Sequence, residues 1–147
     1  MLDFRIRKWD ELNGGLFMGL CPGKYCGKPS RDRAIFISEN TFKCIEPTIK
    51  ECSAHFSRPY SHWGVTEISA DEWSEMIPKL RALKEEAKRA SGPEELLKTL
   101  SRSGSSESEL ELYLEMNRNE LCGLIDQLLP WIEKTLHEDY SISILGI

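Results

Sequence analysis

The spacing of apolar residues changes its period along this chain, and that change limits the fold more than any other feature. Near the start, Phe4 and Ile6 alternate with Arg5 and Arg7, and the tail Tyr140–Leu145 alternates in the same way. Alternation with a period of two is typical of a half-buried strand. Between the two ends, apolar residues recur three and four positions apart, which is the period of an amphipathic helix. Strands at both ends with helices between them predict an α+β domain.

The predicted strands give a small sheet. Asn13-Gly14-Gly15 is a turn sequence, because Gly and Asn adopt positive φ at little cost, and it separates the first alternating stretch from a second one at Leu16–Leu20. We therefore predict an N-terminal hairpin that pairs with the C-terminal strand. Two further short strands are predicted at Ala34–Ile37 and Val65–Ile68. The expected fold is α+β, a small antiparallel sheet packed against about three main helices, in a single domain over residues 1–147.

The first helical stripe contains a proline. Its apolar members are spaced three or four residues apart: Phe42, Ile45, Ile49, Cys52 and Phe56. Pro47 lies inside this stripe, where it removes a backbone donor and clashes with the preceding turn. The helix therefore either kinks at Pro47 or begins near it.

Two capping boxes mark the starts of the other helices. In Ser69-Ala-Asp-Glu72 and in Ser106-Glu-Ser-Glu109, a serine hydroxyl and a glutamate three residues later satisfy each other's backbone amides. The first box opens a helix that runs to about Ala90. The second opens a long helix whose apolar face comprises Leu110, Leu114, Leu121, Ile125, Leu128, Ile132 and Leu136. A short helix is also predicted at 94–100.

Charge is distributed unevenly along the chain. Residues 1–58 hold ten Lys/Arg and seven Asp/Glu, whereas residues 59–147 hold nine and seventeen. From Ser105 onward nine acids face only Arg118 and Lys134, a balance of −7. Such a negative field repels nucleic acid and anionic lipid and attracts basic protein surfaces. We therefore expect a protein partner, with no nucleic acid and no membrane.

The acids of the predicted last helix are the candidate binding face. They are Glu109, Glu111, Glu115, Glu120 and Asp126. Any one of them is explained by a solvated helix face, and the helix dipole favours those in the first turn. Only Glu115 has a basic neighbour one turn later, Arg118, so the set as a whole points to an external cation.

Aromatic residues cluster just before a glycine. Tyr60 and His62 are candidate anchors for a partner, because aromatic residues dominate the binding energy of interfaces. Trp63 is expected instead to fold back over the sheet edge or the capped helix.

Cysteines provide an alternative function. Cys21, Cys26, Cys44 and Cys52, with His55, are of the residue types that hold tetrahedral zinc, and would make this protein a small zinc-binding adaptor or interaction module. Against zinc, Cys52 already belongs to an apolar stripe and Cys44 has no close partner. Thiol catalysis would need a histidine base beside one of these cysteines.

No sequence motif indicates catalysis. The chain has no HExxH, no P-loop, no GxGxxG and no GxSxG sequence. We therefore expect no enzymatic activity, no cofactor and no small-molecule substrate. No window approaches the roughly 18 to 20 apolar residues of a membrane span, and the start lacks the apolar stretch of a signal peptide. The expected location is the cytoplasm.

One region resembles a known class of bacterial proteins. The residues that carry the resemblance are Ile37-Ser-Glu-Asn-Thr-Phe42 through Ile49, Tyr60-Ser-His-Trp-Gly-Val-Thr-Glu-Ile-Ser-Ala-Asp-Glu-Trp73 and Ile77-Pro-Lys-Leu80. This stretch, within residues 36–83, is similar to the immunity proteins of contact-dependent inhibition and related polymorphic-toxin systems. The resemblance implies a non-enzymatic protein that binds a cognate toxin domain, often a basic nuclease, one-to-one. It assigns no binding residue by position.

Overall fold

The computed structural model describes residues 3–89 and 107–147, and the side chains of the last helix from residue 118 onward. After a 3-10 turn at Trp9–Glu11, the elements in chain order are β1 Phe17–Pro22, α1 Lys28–Arg33, β2 Ile35–Ser38, α2 Glu39–Phe42, α3 Glu46–Ser53, β3 Val65–Ser69, α4 Ala70–Arg89, α5 Glu107–Glu138 and β4 Ser141–Leu145.

The four strands form one antiparallel sheet in the order β2-β1-β4-β3. The C-terminal strand β4 lies inside the sheet, where Leu20 pairs with Ile144 on one side and Thr66 pairs with the same residue on the other. Three helices have seven residues or more. The predicted α+β class and its C-terminal strand are confirmed.

The predicted N-terminal hairpin is wrong in its first strand. The partner of β1 is β2, and residues before Asn13 add only an isolated bridge between Arg7 and Phe36. The reason is that both edges of β1 are already occupied, one by β2 and the other by β4. The N-terminal segment lies instead along the outer edge of β2, where it forms this bridge.

The stripe that contains Pro47 is divided between two helices. The helix α2 ends at Phe42, and α3 begins at Glu46 with Pro47 in its first turn, where a missing amide costs nothing. The apolar spacing nevertheless predicted burial correctly, since Phe42, Ile49 and Phe56 are all buried.

The capping box at the start of α4 is confirmed. The Ser69 hydroxyl accepts from the Glu72 amide at 3.2 Å, and the Glu72 carboxylate accepts from the Ser69 amide at 3.0 Å. The helix α5 begins at Glu107, but the side chains of the second predicted box, like the predicted short helix at 94–100, lie outside the described residues.

The main core lies between the helices and one face of the sheet. Met18, Leu20, Ile68 and Ile144 point into it from the strands. Trp73 is only 1% exposed there, and its indole nitrogen donates to the Ile142 carbonyl oxygen at 3.1 Å. This bond ties α4 to the strand that occupies the interior of the sheet.

The outer face of the sheet is covered over part of its width. A second cluster of buried residues, Cys21, Ala34 and Phe36, lies over β1 and β2, with Leu12, Phe17, Tyr25 and Leu145 packed against it. This cluster contains no residue of β3.

No helix in the described part of the chain has the length and apolar content that crossing a membrane requires.

Replacing Trp73 with Phe should lower the free energy of unfolding by about 2 kcal/mol, because the change leaves a cavity and removes the bond to Ile142. The matched control is Trp63→Phe, which replaces a ring that is 68% exposed and should change stability by less than about 0.5 kcal/mol. Urea denaturation measures both. Equal effects at the two positions would contradict the described core.

Candidate functional site

Charged side chains from two helices and a loop meet next to the start of β3. Glu39 is the first residue of α2, Glu46 is the first residue of α3, and Tyr60 and His62 lie in the loop between α3 and β3. The Tyr60 hydroxyl donates to Oε2 of Glu46 at 2.6 Å. The ring of His62 bonds the same carboxylate through Nδ1 and reaches Oε1 of Glu39 through Nε2 at 2.9 Å. We call these four residues the His62 network.

Local structure fixes the two carboxylates. The Ser38 hydroxyl caps α2 by accepting from the Thr41 amide at 3.3 Å, which places Glu39 in the first position of that helix. Pro47 places Glu46 in the first position of α3, because the fixed φ of proline favours the first turn of a helix. The loop is held in turn, since the Tyr60 amide donates to the Ser53 hydroxyl at 3.0 Å.

The network favours a charged histidine between two carboxylates. The hydrogen bond with Glu46 raises the pKa of His62, and the bond with Glu39 adds to it against the opposing effect of burial. For Glu46, burial opposes ionisation, but the bonds from His62 and Tyr60 outweigh it, so the pKa is lowered. Lys50 adds a weaker contact to Glu46 at 3.5 Å.

Both ring nitrogens of His62 are therefore occupied. A charged imidazole that donates to two carboxylates has no lone pair with which to accept a proton, so this geometry is that of a clamp and not of a general base. Its consequence is that the loop before β3 is fixed to α2 and α3.

The chain terminus fixes the same loop from the other side. The His62 carbonyl accepts from the Ile147 amide at 3.1 Å, and the Gly64 carbonyl accepts from the Gly146 amide at 2.7 Å. Gly64 has a φ of +82°, a conformation that side-chain-bearing residues rarely adopt. Trp63, held between these bonds, is 68% exposed, with its ring edge-on to His62 at 5.1 Å. The expectation that Trp63 folds back was wrong.

The predicted aromatic anchors occupy different environments. Tyr60 is 7% exposed and its hydroxyl is engaged by Glu46, so its ring belongs to the core. His62 is half-buried under Trp63. Their direct contact with a partner stays a prediction, whereas the structure presents Trp63 as the exposed ring of this loop.

The structure describes the side chains of two of the five predicted acidic residues. Glu120 is exposed, and Asp126 pairs with Lys84 of α4 at 2.6 Å. A second pair joins α4 to α5, Arg81 with Glu133 at 3.3 Å. The side chains of Glu109, Glu111 and Glu115 lie outside the described residues. Spacing within one helix predicts only pairs along that helix, so it does not reveal the ion pairs that Lys84 and Arg81 of α4 make with α5.

The cysteines do not come together. Cys44 and Cys52 belong to the main core, Cys21 to the outer cluster, and Cys26 is exposed. His55 is exposed and contacts Glu75 at 3.0 Å. Among the described residues, no group of three or more Cys, His, Asp or Glu has the arrangement of a metal site. The structure therefore gives the zinc alternative no support.

Burial also works against thiol chemistry. It raises the pKa of Cys44 to about 12, and it raises those of Cys21, Cys52 and Cys122 as well. A nucleophilic cysteine requires the opposite shift. These four thiols are consequently side chains of the protein interior.

No family model matches this chain, and no curated protein or solved structure is similar enough to count as a match. Function must therefore be inferred from the geometry and charge of the chain itself.

Stability should fall as the pH rises because of His62. Its folded pKa lies above the ordinary value of 6.5, so its contribution is complete below pH 6.5 and is lost as the pH passes through the folded value. Urea denaturation from pH 6 to 9 should show this loss in the wild type and not in His62→Gln. The control His137→Gln changes an exposed histidine of α5 and should lose stability with rising pH as the wild type does. If the free energy of unfolding of His62→Gln falls with rising pH as steeply as that of the wild type, His62 does not act as a clamp.

Removing the Tyr60 hydroxyl should weaken the same network. Tyr60→Phe deletes a donor to a buried carboxylate, which costs about 1.5 to 3 kcal/mol of unfolding free energy. Tyr140→Phe is the matched control, because that side chain is 94% exposed and should give no measurable change. Equal losses would show that the Tyr60–Glu46 bond contributes nothing specific.

Proposed function

We propose that this protein is an immunity protein, which binds and neutralises a cognate toxin domain one-to-one in the cytoplasm and transforms no substrate. The observation that carries the proposal is the charge of residues 105–147, where nine acids face two bases in a chain whose first 58 residues are net positive. A field concentrated on one part of a protein attracts a partner of opposite sign.

The packing of α5 supports this interpretation. Its apolar residues Leu121, Ile125 and Leu128 are buried, which directs the opposite side of the helix towards solvent. Glu120 is exposed on that side. Asp126 contributes less, because Lys84 already neutralises it. The proposed electrostatic face therefore depends mainly on Glu109, Glu111, Glu115 and Glu120.

A nuclease-type toxin fits the sign of this charge. Proteins that handle nucleic acid carry basic surfaces, since phosphate contacts are made by Lys and Arg. An acidic inhibitor that covers such a surface competes with the substrate itself. Long-range attraction of this kind speeds association and gives it a strong salt dependence.

Reversing charge on α5 should slow association with the toxin domain. For Glu109→Lys, Glu111→Lys and Glu120→Lys together, we expect the association rate to fall about tenfold at low salt and to become less sensitive to salt, because steering is lost. Surface plasmon resonance at several ionic strengths measures both quantities.

The control carries the same change in net charge elsewhere. Asp10, Glu85 and Glu86 are exposed and lie outside α5. Their triple replacement by Lys should reduce the association rate much less. If both triple variants associate at the wild-type rate, the acids of α5 do not steer the partner.

A further inference from the structure

The outer side of β3 is an open surface on an otherwise covered sheet. Val65, Glu67 and Ser69 alternate with the core residues Thr66 and Ile68, so they face away from the helices. The cluster that covers the outer side of β1 and β2 does not extend to them. In the part of the chain that the structure describes, Val65 remains 51% exposed.

Exposed apolar side chains concentrate at this strand. The described residues include five large apolar side chains that are exposed. Three of them adjoin β3: Trp63 just before it, Val65 within it, and Tyr140, whose carbonyl accepts from the Ala70 amide at its far end. A five-residue strand is about 16 Å long, and Trp63 and Tyr140 lie near its two ends in the chain pairing.

The charge around β3 is predominantly negative, because the charged histidine of this region, His62, is enclosed between the carboxylates of Glu39 and Glu46. Neither residues 59–78 nor residues 135–147 contain a lysine or an arginine. These two segments, which include β3 and β4, carry six acids: Glu67, Asp71, Glu72, Glu75, Glu138 and Asp139. One of them is neutralised from outside, since Arg33 pairs with Asp139 at 2.9 Å.

We propose, resting on the proposed function, that this β3 surface, formed by Trp63, Val65 and Glu67, is where the partner toxin docks a basic segment that also carries apolar residues. The surface is distinct from the acidic side of α5. The two have different roles: α5 attracts the toxin from a distance, and the β3 surface holds it.

The chemistry of the surface fits a lysine or arginine. Oε2 of Glu67 accepts from the Ser141 hydroxyl at 2.7 Å, which orients the carboxylate, and Oε1 has no hydrogen-bond partner among the described residues. An exposed indole such as that of Trp63 attracts a guanidinium or ammonium over its face. Val65 lies between these two groups and suits an apolar neighbour on the partner.

The backbone that presents Trp63 is already ordered. The bonds of residues 62–64 to Gly146 and Ile147, with the His62 network beneath, fix the loop before any partner arrives. Binding then costs little loop entropy, and a preorganised aromatic residue is the kind that dominates interface energy.

The test compares Trp63→Ala and Glu67→Lys with Leu16→Ala, which shortens an exposed apolar side chain outside the β3 surface, just before β1. Thermal unfolding establishes first that each variant is folded. With the cognate toxin domain, Trp63→Ala should raise the dissociation rate at least about tenfold while leaving the salt dependence of association unchanged. Glu67→Lys should weaken binding similarly, and Leu16→Ala should not.

The outcomes separate the two proposals. If the wild type binds the toxin and both β3 variants bind equally well, the β3 surface is overturned and the immunity function stands. If the wild type does not bind the toxin, the immunity function fails. The β3 surface is then tested separately, by NMR titration with a synthetic peptide of alternating Lys and Val. Saturable shifts confined to residues 63–69 support the surface, and their absence overturns it.

Discussion

The insertion of the C-terminal strand between β1 and β3 is the contact on which the rest of this structure depends. Without β4 the sheet would separate into a two-stranded piece and a lone strand. Ile142 and Ile144 bring buried side chains to the main core, and the Ile142 carbonyl receives the Trp73 indole. The last residues after β4 then bond the loop that carries Trp63. One strand thus links the core to the surface.

The loop before β3 combines a buried, charged interior with an exposed ring. His62 is bonded on both ring nitrogens by carboxylates from two helices, while the adjacent Trp63 faces solvent. Ordering charge beneath an exposed aromatic residue makes physical sense for recognition, because the cost of fixing the loop is met during folding and not during binding. In the same arrangement both ring nitrogens of His62 are engaged by carboxylates, which suits a role in holding the loop.

Local signals in the sequence predicted where the helices and strands lie better than they predicted which residues these elements contact. The capping box at Ser69, the C-terminal strand and the buried stripe through Ile49 were all correct, since each depends on neighbours within a few residues. The first strand of the hairpin failed because β2, from further along the chain, pairs with the edge of β1 that it would have used. The His62 network and the Lys84–Asp126 pair join positions far apart in sequence, so no local pattern could reveal them.

The proposed function requires that an anionic protein neutralises a cationic toxin by covering it. Growth of cells that express a candidate toxin domain from a gene neighbouring this one tests the proposal most directly. Cells that also make this protein should grow at the rate of cells without toxin, and intact toxin should co-purify with it in equal amount. Death at the same rate with and without this protein would contradict the account.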